Sequence, residues 1–180
     1  GFGFKWNMGW MNDTLFYIKK EPIYRKWHHD KLTFSLMYAF NENFILPFSH
    51  DEEVHGKGSM IEKQPGDIWR KFAGLRNLYA YTLAHPGKKL NFMGIEFGQF
   101  VEWRDGQQLD WFLFNYDRHP QLFDCVKDLN HIYKSTPALY QIEDSWDGFE
   151  WIVPNDSDNS VFAFLRMPKK GKSILCVSNF

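Results

Sequence analysis

Five apolar residues, Phe44 to Phe48 (FILPF), run without a break into Ser49, His50, Asp51, Glu52, Glu53 and His55, and Gly56 then ends the run. A stretch so short and so continuously apolar reads as a buried strand, and a buried strand needs covering layers on its faces. Acids and imidazoles gathered directly after it are what a barrel delivers to the C-terminal mouth of its strands. The same residues also suit a surface turn in which Ser49 and Asp51 do no more than cap a helix. Taken alone, this stretch leaves both readings open.

The neighbouring segments supply the covering layers. Residues 1–6 alternate Gly with bulky residues and read as a strand, and Met11 to Ile18 as a short helix capped by Asn12 or Asp13. Asp30 is placed to cap an amphipathic segment, Lys31 to Phe40, with Leu32, Leu36 and Phe40 on one stripe and Met37 beside it. Asp67 is placed to cap a helix over Ile68 to Ala84, and His85-Pro86-Gly87 stops it. Lys88 to Gly94 then reads as a second apolar strand, followed by a polar, aromatic loop, Glu96 to Asp110, and a helix from about His119 to Lys134. Strand, helices, strand, helix, strand, helix is the order of three parallel βα units.

From Gly148 onward the pattern changes to short strands at Phe149–Val153, Ser160–Arg166 and Ser173–Val177, separated by polar turns. This places a boundary near residues 142–147. A complete (β/α)8 barrel needs about 250 residues. The expected architecture is therefore α/β: the last three βα units of a (β/α)8 TIM barrel over residues 1–145, then the beginning of an all-β sandwich domain over 146–180. Such a chain reads as cut from something longer.

A formal net charge of −1 gives no sign of a nucleic-acid or anionic-membrane partner. No apolar run is long enough to span a bilayer. Cys125 and Cys176 sit far apart in apolar segments and read as reduced thiols, which points to a reducing, cytoplasmic compartment. Aromatics make up 19% of the chain, including eight Trp, several beside polar residues: Trp6 with Asn7, Trp103 with Arg104, Trp111 with Asp110. Flat aromatic faces among carboxylates and amides suit sugars, although packing accounts for aromatics equally well. His50 and His55 stand five apart with Asp51 after the first, which is not the helical zinc spacing, so no metal and no cofactor is expected. Neither a nucleophile elbow nor a phosphate-binding loop occurs.

Ser49-His50-Asp51-Glu52 after an apolar strand resembles the fourth conserved region of the α-amylase superfamily. The surroundings carry the likeness further: residues 5–11 (KWNMGWM), 22–26 (PIYRK), 28–35 (HHDKLTFS), 54–59 (VHGKGS) and 92–99 (FMGIEFGQ). Together they resemble the 1,4-α-glucan (glycogen) branching enzymes nearly end to end, and residues 149–152 (FEWI) and 159–161 (NSV) resemble the start of that family's C-terminal β domain. One departure is Glu53, where an apolar residue is expected.

The resemblance implies a transferase of glycogen biosynthesis acting on α-1,4-glucan by a retaining double displacement, with a sugar 6-hydroxyl as acceptor. By resemblance Asp51 is the transition-state stabiliser, His50 a substrate-binding hydroxyl donor, and Asn7 and Glu96 further substrate-binding residues. The family's nucleophile and general acid match no residue of this chain, so the 180 residues alone are expected to be inactive. Two alternatives remain: a hydrolase of the same superfamily, and a non-catalytic glucan-binding module.

Overall fold

The computed structural model describes residues 2–180, leaving Gly1 outside the described residues. Three strands form one parallel sheet in the order β1 (Lys5–Trp6), β2 (Phe44–Phe48), β3 (Lys88–Asn91). β2 lies in the middle although it contains Pro47, a residue that donates no ladder hydrogen bond. The register resolves this. Asn43 and Ile45 offer their carbonyls to Lys5 and Asn7, while Phe48 offers its own to Phe92. Pro47 shares the parity of Asn43 and Ile45, so its nitrogen faces the β1 side one step past Asn7, where β1 has already turned into a helix. The ladder loses nothing there.

That helix, α1 (Met8–Ile18), begins three residues earlier than the sequence suggests. Its cap is Asn7, whose Oδ1 accepts from the Trp10 amide at 2.9 Å, and not Asn12 or Asp13, which lie within the helix. Trp10, Met11, Leu15, Tyr17 and Ile18 bury its inner face. The amphipathic segment after it is also corrected: an α-turn over Asp30–Thr33 tightens into a 3-10 turn over Phe34–Met37. Ser35 Oγ there meets the buried His85 Nε2 at 3.0 Å, so Leu32 and Leu36 reach the core while Met37 is 75% exposed.

α2 (Ile68–Ala84) starts where expected, with Asp67 accepting from the Arg70 amide at 2.9 Å, and it buries Phe72, Leu75, Leu78 and Tyr79 in the core. Gly87 (φ 113°) makes the turn into β3, packed so tightly that an added Cβ would sit 3.3 Å from the Phe44 carbonyl. β3 ends at Asn91 and not at Gly94, whose φ of 95° is incompatible with a continuing strand. α3 (Arg118–Ser135) then packs against α2.

The second sheet is antiparallel, in the order β4 (Phe149–Asp156), β5 (Val161–Arg166), β6 (Ile174–Asn179). Its buried Phe149, Phe162 and Phe164 share one apolar core with α1 and α2. Polar ties also cross the seam, and Asn77 Nδ2 donates to the Asn179 carbonyl at 2.9 Å. His29 stacks on Phe162 (centroids 3.9 Å apart) with Nε2 2.9 Å from the Pro154 carbonyl. Arg166 is fully buried and donates to the carbonyls of Gly148, Ala84, Leu139 and Ile142. Among the described residues no helix is long and apolar enough to cross a membrane.

Candidate active site

Parallel strands collect their C-terminal ends at one edge, and the polar residues singled out in the sequence follow those ends. Asn7 follows β1, His50 and Asp51 follow β2, and Glu96 follows β3. After β2 the chain makes one 3-10 turn, His50–Glu52, with Ser49 before it in extended backbone. His50 Nε2 lies 3.2 Å from Asp51 Oδ1, and the two side chains are 46% and 54% exposed. Among the described residues no backbone N–H reaches the Asp51 carboxylate, and the Ser49 side chain makes no cap hydrogen bond. The helix-cap alternative therefore finds no support in the geometry. The carboxylate is free toward solvent, with His50 as its neighbour.

Two aromatic rings flank that histidine. Phe92 lies 5.9 Å and Trp103 6.1 Å from the His50 ring, and the two pack edge to face at 5.3 Å. Trp103 stood out in the sequence for its polar neighbour; Phe92 did not, because it reads as the end of a strand.

The next two acids turn inward. Glu52 is buried and pairs with Lys57 at 3.3 Å. Glu53 is 5% exposed and its Oε1 has no hydrogen-bond partner. Burial pushes the Glu53 carboxyl up from 4.5 to about 7, against the opposing pull of the Lys63 ammonium and the Met60 amide. Lys63, itself 5% exposed, donates to the Glu52 carbonyl at 2.5 Å and to the Gly58 carbonyl, and burial draws its pKa down. The loop after β2 is thus folded around a buried lysine that sequence inspection did not single out.

Asn7 and Glu96 are more constrained. Asn7 is 3% exposed and spends Oδ1 on capping α1, while its Nδ2 has no partner. Glu96 sits on a single turn between Gly94 and Gly98, and its Oε2 accepts from the Gly94 amide at 2.7 Å. It lines a cleft of about 640 Å³ with Asn91, Phe92 and Met93 on one side and Phe123 and Asn130 of α3 on the other. Among the described residues no three His, Cys, Asp or Glu side chains gather as a metal-ligand set.

No protein-family model matches the chain. It is similar end to end to curated proteins named 1,4-alpha-glucan branching enzyme GlgB. That of Aquifex aeolicus is 60% identical over 181 residues, covering 100% of this chain and 29% of the relative. That of Albidiferax ferrireducens is 58% identical over 180 residues, with 99% and 29% covered. That of Halothermothrix orenii is 55% identical over 181 residues, with 100% and 29% covered. The chain therefore spans under a third of the length of these relatives. Among solved structures, an alpha-amylase from H. orenii superposes with a TM-score of 0.61 at 17% identity, over 99% of this chain and 39% of that one. That likeness shows the fold, a mixed α/β arrangement of the α-amylase type.

Proposed function

We propose that this chain, homologous throughout its length to one segment of the 1,4-alpha-glucan branching enzymes, forms part of the catalytic domain of such an enzyme. Residues 1–145 would be the last three βα units of its (β/α)8 barrel, and residues 146–180 the start of an all-β sandwich domain. The substrate is α-1,4-glucan, glycogen in its stored form. The reaction cuts an α-1,4 link, holds the cut chain as a glycosyl-enzyme, and passes it to a sugar 6-hydroxyl to make an α-1,6 branch with retention at the anomeric carbon.

The observation that carries this reading is the state of Asp51: at the C-terminal end of a parallel strand, half-exposed, beside His50, and not engaged by any backbone amide. A carboxylate so placed can accept the hydroxyls of a sugar ring. It grips them harder as the ring flattens toward an oxocarbenium ion, which lowers the barrier without tightening the ground state. His50 donates to the same sugar, with Phe92 and Trp103 walling its ring. Glu96 would contribute through the oxygen not held by Gly94, and Asn7 through the start of α1 that its Oδ1 caps, since its Nδ2 is shielded from solvent.

The nucleophile and the general acid/base come from outside these 180 residues. Glu52 and Glu53 are buried, so neither is placed to attack a sugar. The test uses the full-length protein on amylose, counting chains released by a debranching enzyme against new reducing ends. Branch points accumulating with few reducing ends are expected. Reducing ends without branch points would make the protein a hydrolase of the same fold. Retention on immobilised amylose that survives Asp51→Ala, with no turnover, would make it a binding module.

A further inference from the structure

The loop after β2 and the loop after β3 are fastened together by one carboxylate. Glu102 Oε1 accepts from the Gly58 amide at 2.6 Å and Oε2 from the Gly56 amide at 3.1 Å, with His55 Nδ1 3.4 Å from the same Oε2. Both glycines have positive φ, 85° and 74°, which turns their N–H groups toward the carboxylate as side-chain-bearing residues would resist doing. The next residue adds a backbone tie, Trp103 N donating to the Glu53 carbonyl at 2.7 Å. On the far side of the same arch the Gly58 carbonyl is taken by Lys63. Gly58 is thus gripped on both sides, by an anion on its N–H and a cation on its carbonyl. The two amides hold the Glu102 carboxyl below the usual carboxylate range.

We propose that Glu102 is a positioning residue for His50 and Asp51. It fixes the Glu53–Gly58 arch against the loop bearing Trp103, and so sets where His50 and Asp51 stand relative to the Phe92 and Trp103 rings. This rests on reading that end of the sheet as the glucan site. Glu102 itself touches neither His50 nor Asp51; its influence passes through the arch and through Trp103, which packs on the His50 ring. A packed surface carboxylate would matter to stability alone, whereas a positioning group matters to turnover.

The experiment uses the full-length protein. In Glu102→Gln the side-chain shape is retained, but one oxygen becomes an NH2 that confronts a glycine N–H, so one of the two grips is lost. We expect hydrogen exchange in the peptide spanning residues 54–60 to quicken, the melt to stay near wild type, KM for amylose to hold, and kcat to fall by roughly ten- to a hundredfold, as for a small misplacement of reacting groups. Gly58→Ala, which strains the amide that Glu102 grips and leaves the Glu102 side chain itself intact, should reproduce the kcat loss. Wild-type turnover in Glu102→Gln, or a kcat loss that only tracks a lowered melt, overturns the proposal. A wild-type protein that does not branch refutes the function, whereas unchanged exchange over residues 54–60 refutes the clamp whatever the reaction is.

Discussion

Removing the guanidinium of Arg166 should partly detach the second sheet from the end of α2 and from the segment over residues 139–142. Its four acceptors are the carbonyls of Gly148 (3.1 Å), Ala84 (2.6 Å), Leu139 (3.4 Å) and Ile142 (3.1 Å), and the side chain is fully buried. Burial lowers its pKa, and the charge of Glu143 opposes that most strongly. In Arg166→Met the stem is retained and every donor is lost. Gly148 keeps a partner, since its carbonyl also accepts from Met167 at 3.1 Å. Ala84, at the C-terminal end of α2, loses the shortest of the four bonds, Ile142 loses one of ordinary length, and Leu139 loses a long one. An orphaned buried acceptor costs about 1–3 kcal/mol, against which the variant no longer desolvates a charge. The net expectation is a loss of about 3–5 kcal/mol, in the range for breaking a buried charged network. Arg166→Lys, with one ammonium and no planar fork, should lose roughly half as much. Denaturant unfolding of the full-length protein reads the total. Hydrogen exchange over residues 139–148 reads the location. An Arg166→Met protein with a wild-type midpoint and unchanged exchange there would refute the reasoning, because desolvation would then have cancelled all four bonds.

Two further outcomes follow from the same structure. Glu53 has a folded pKa near 7, raised from 4.5, so its contribution to stability is fully present below about pH 4.5 and is lost as pH rises through 7. Glu53→Gln should therefore melt close to wild type at pH 5 and higher than wild type at pH 8; equal melts at both would show that Lys63 fully offsets the buried charge. The isolated 180-residue chain leaves β1 and β3 as sheet edges and exposes Trp6 (42%), Trp27 (64%) and Phe112 (57%), so it should self-associate and bind an apolar dye. A dye-free monomer with one cooperative transition would contradict this.

How much of this was legible in the sequence depended on the range of the interactions. Phe44–Phe48 and the Asp67 cap were readable because a continuous apolar run and an Asx residue before a periodic segment are local signals. The α1 cap was misplaced because Asn7 belongs to a strand end and a helix start at once, and Asn12 and Asp13 look like better caps when the sheet is unseen. The segment from Lys31 to Phe40 had a good helical stripe, yet Ser35 meeting His85, fifty residues away, accompanies a tighter turn there. Asp51 and His50 could be named from their motif. Glu102 and Lys63 could not: one grips amides 44 and 46 residues away, and the other is buried only because the loop wraps around it. The perturbed carboxyl of Glu53 is likewise a product of burial, which no local pattern encodes.

The central claim is that Asp51 acts on the sugar in the transition state, and Asp51→Asn in the full-length protein tests it most directly. Asparagine keeps the shape and one acceptor but removes the charge that makes the hydrogen bond strong. Branching kcat should fall about a hundredfold to a thousandfold, with KM for amylose and the thermal melt near wild type, since Asp51 caps no helix and is half-exposed. Near-normal branching turnover in Asp51→Asn would contradict the account.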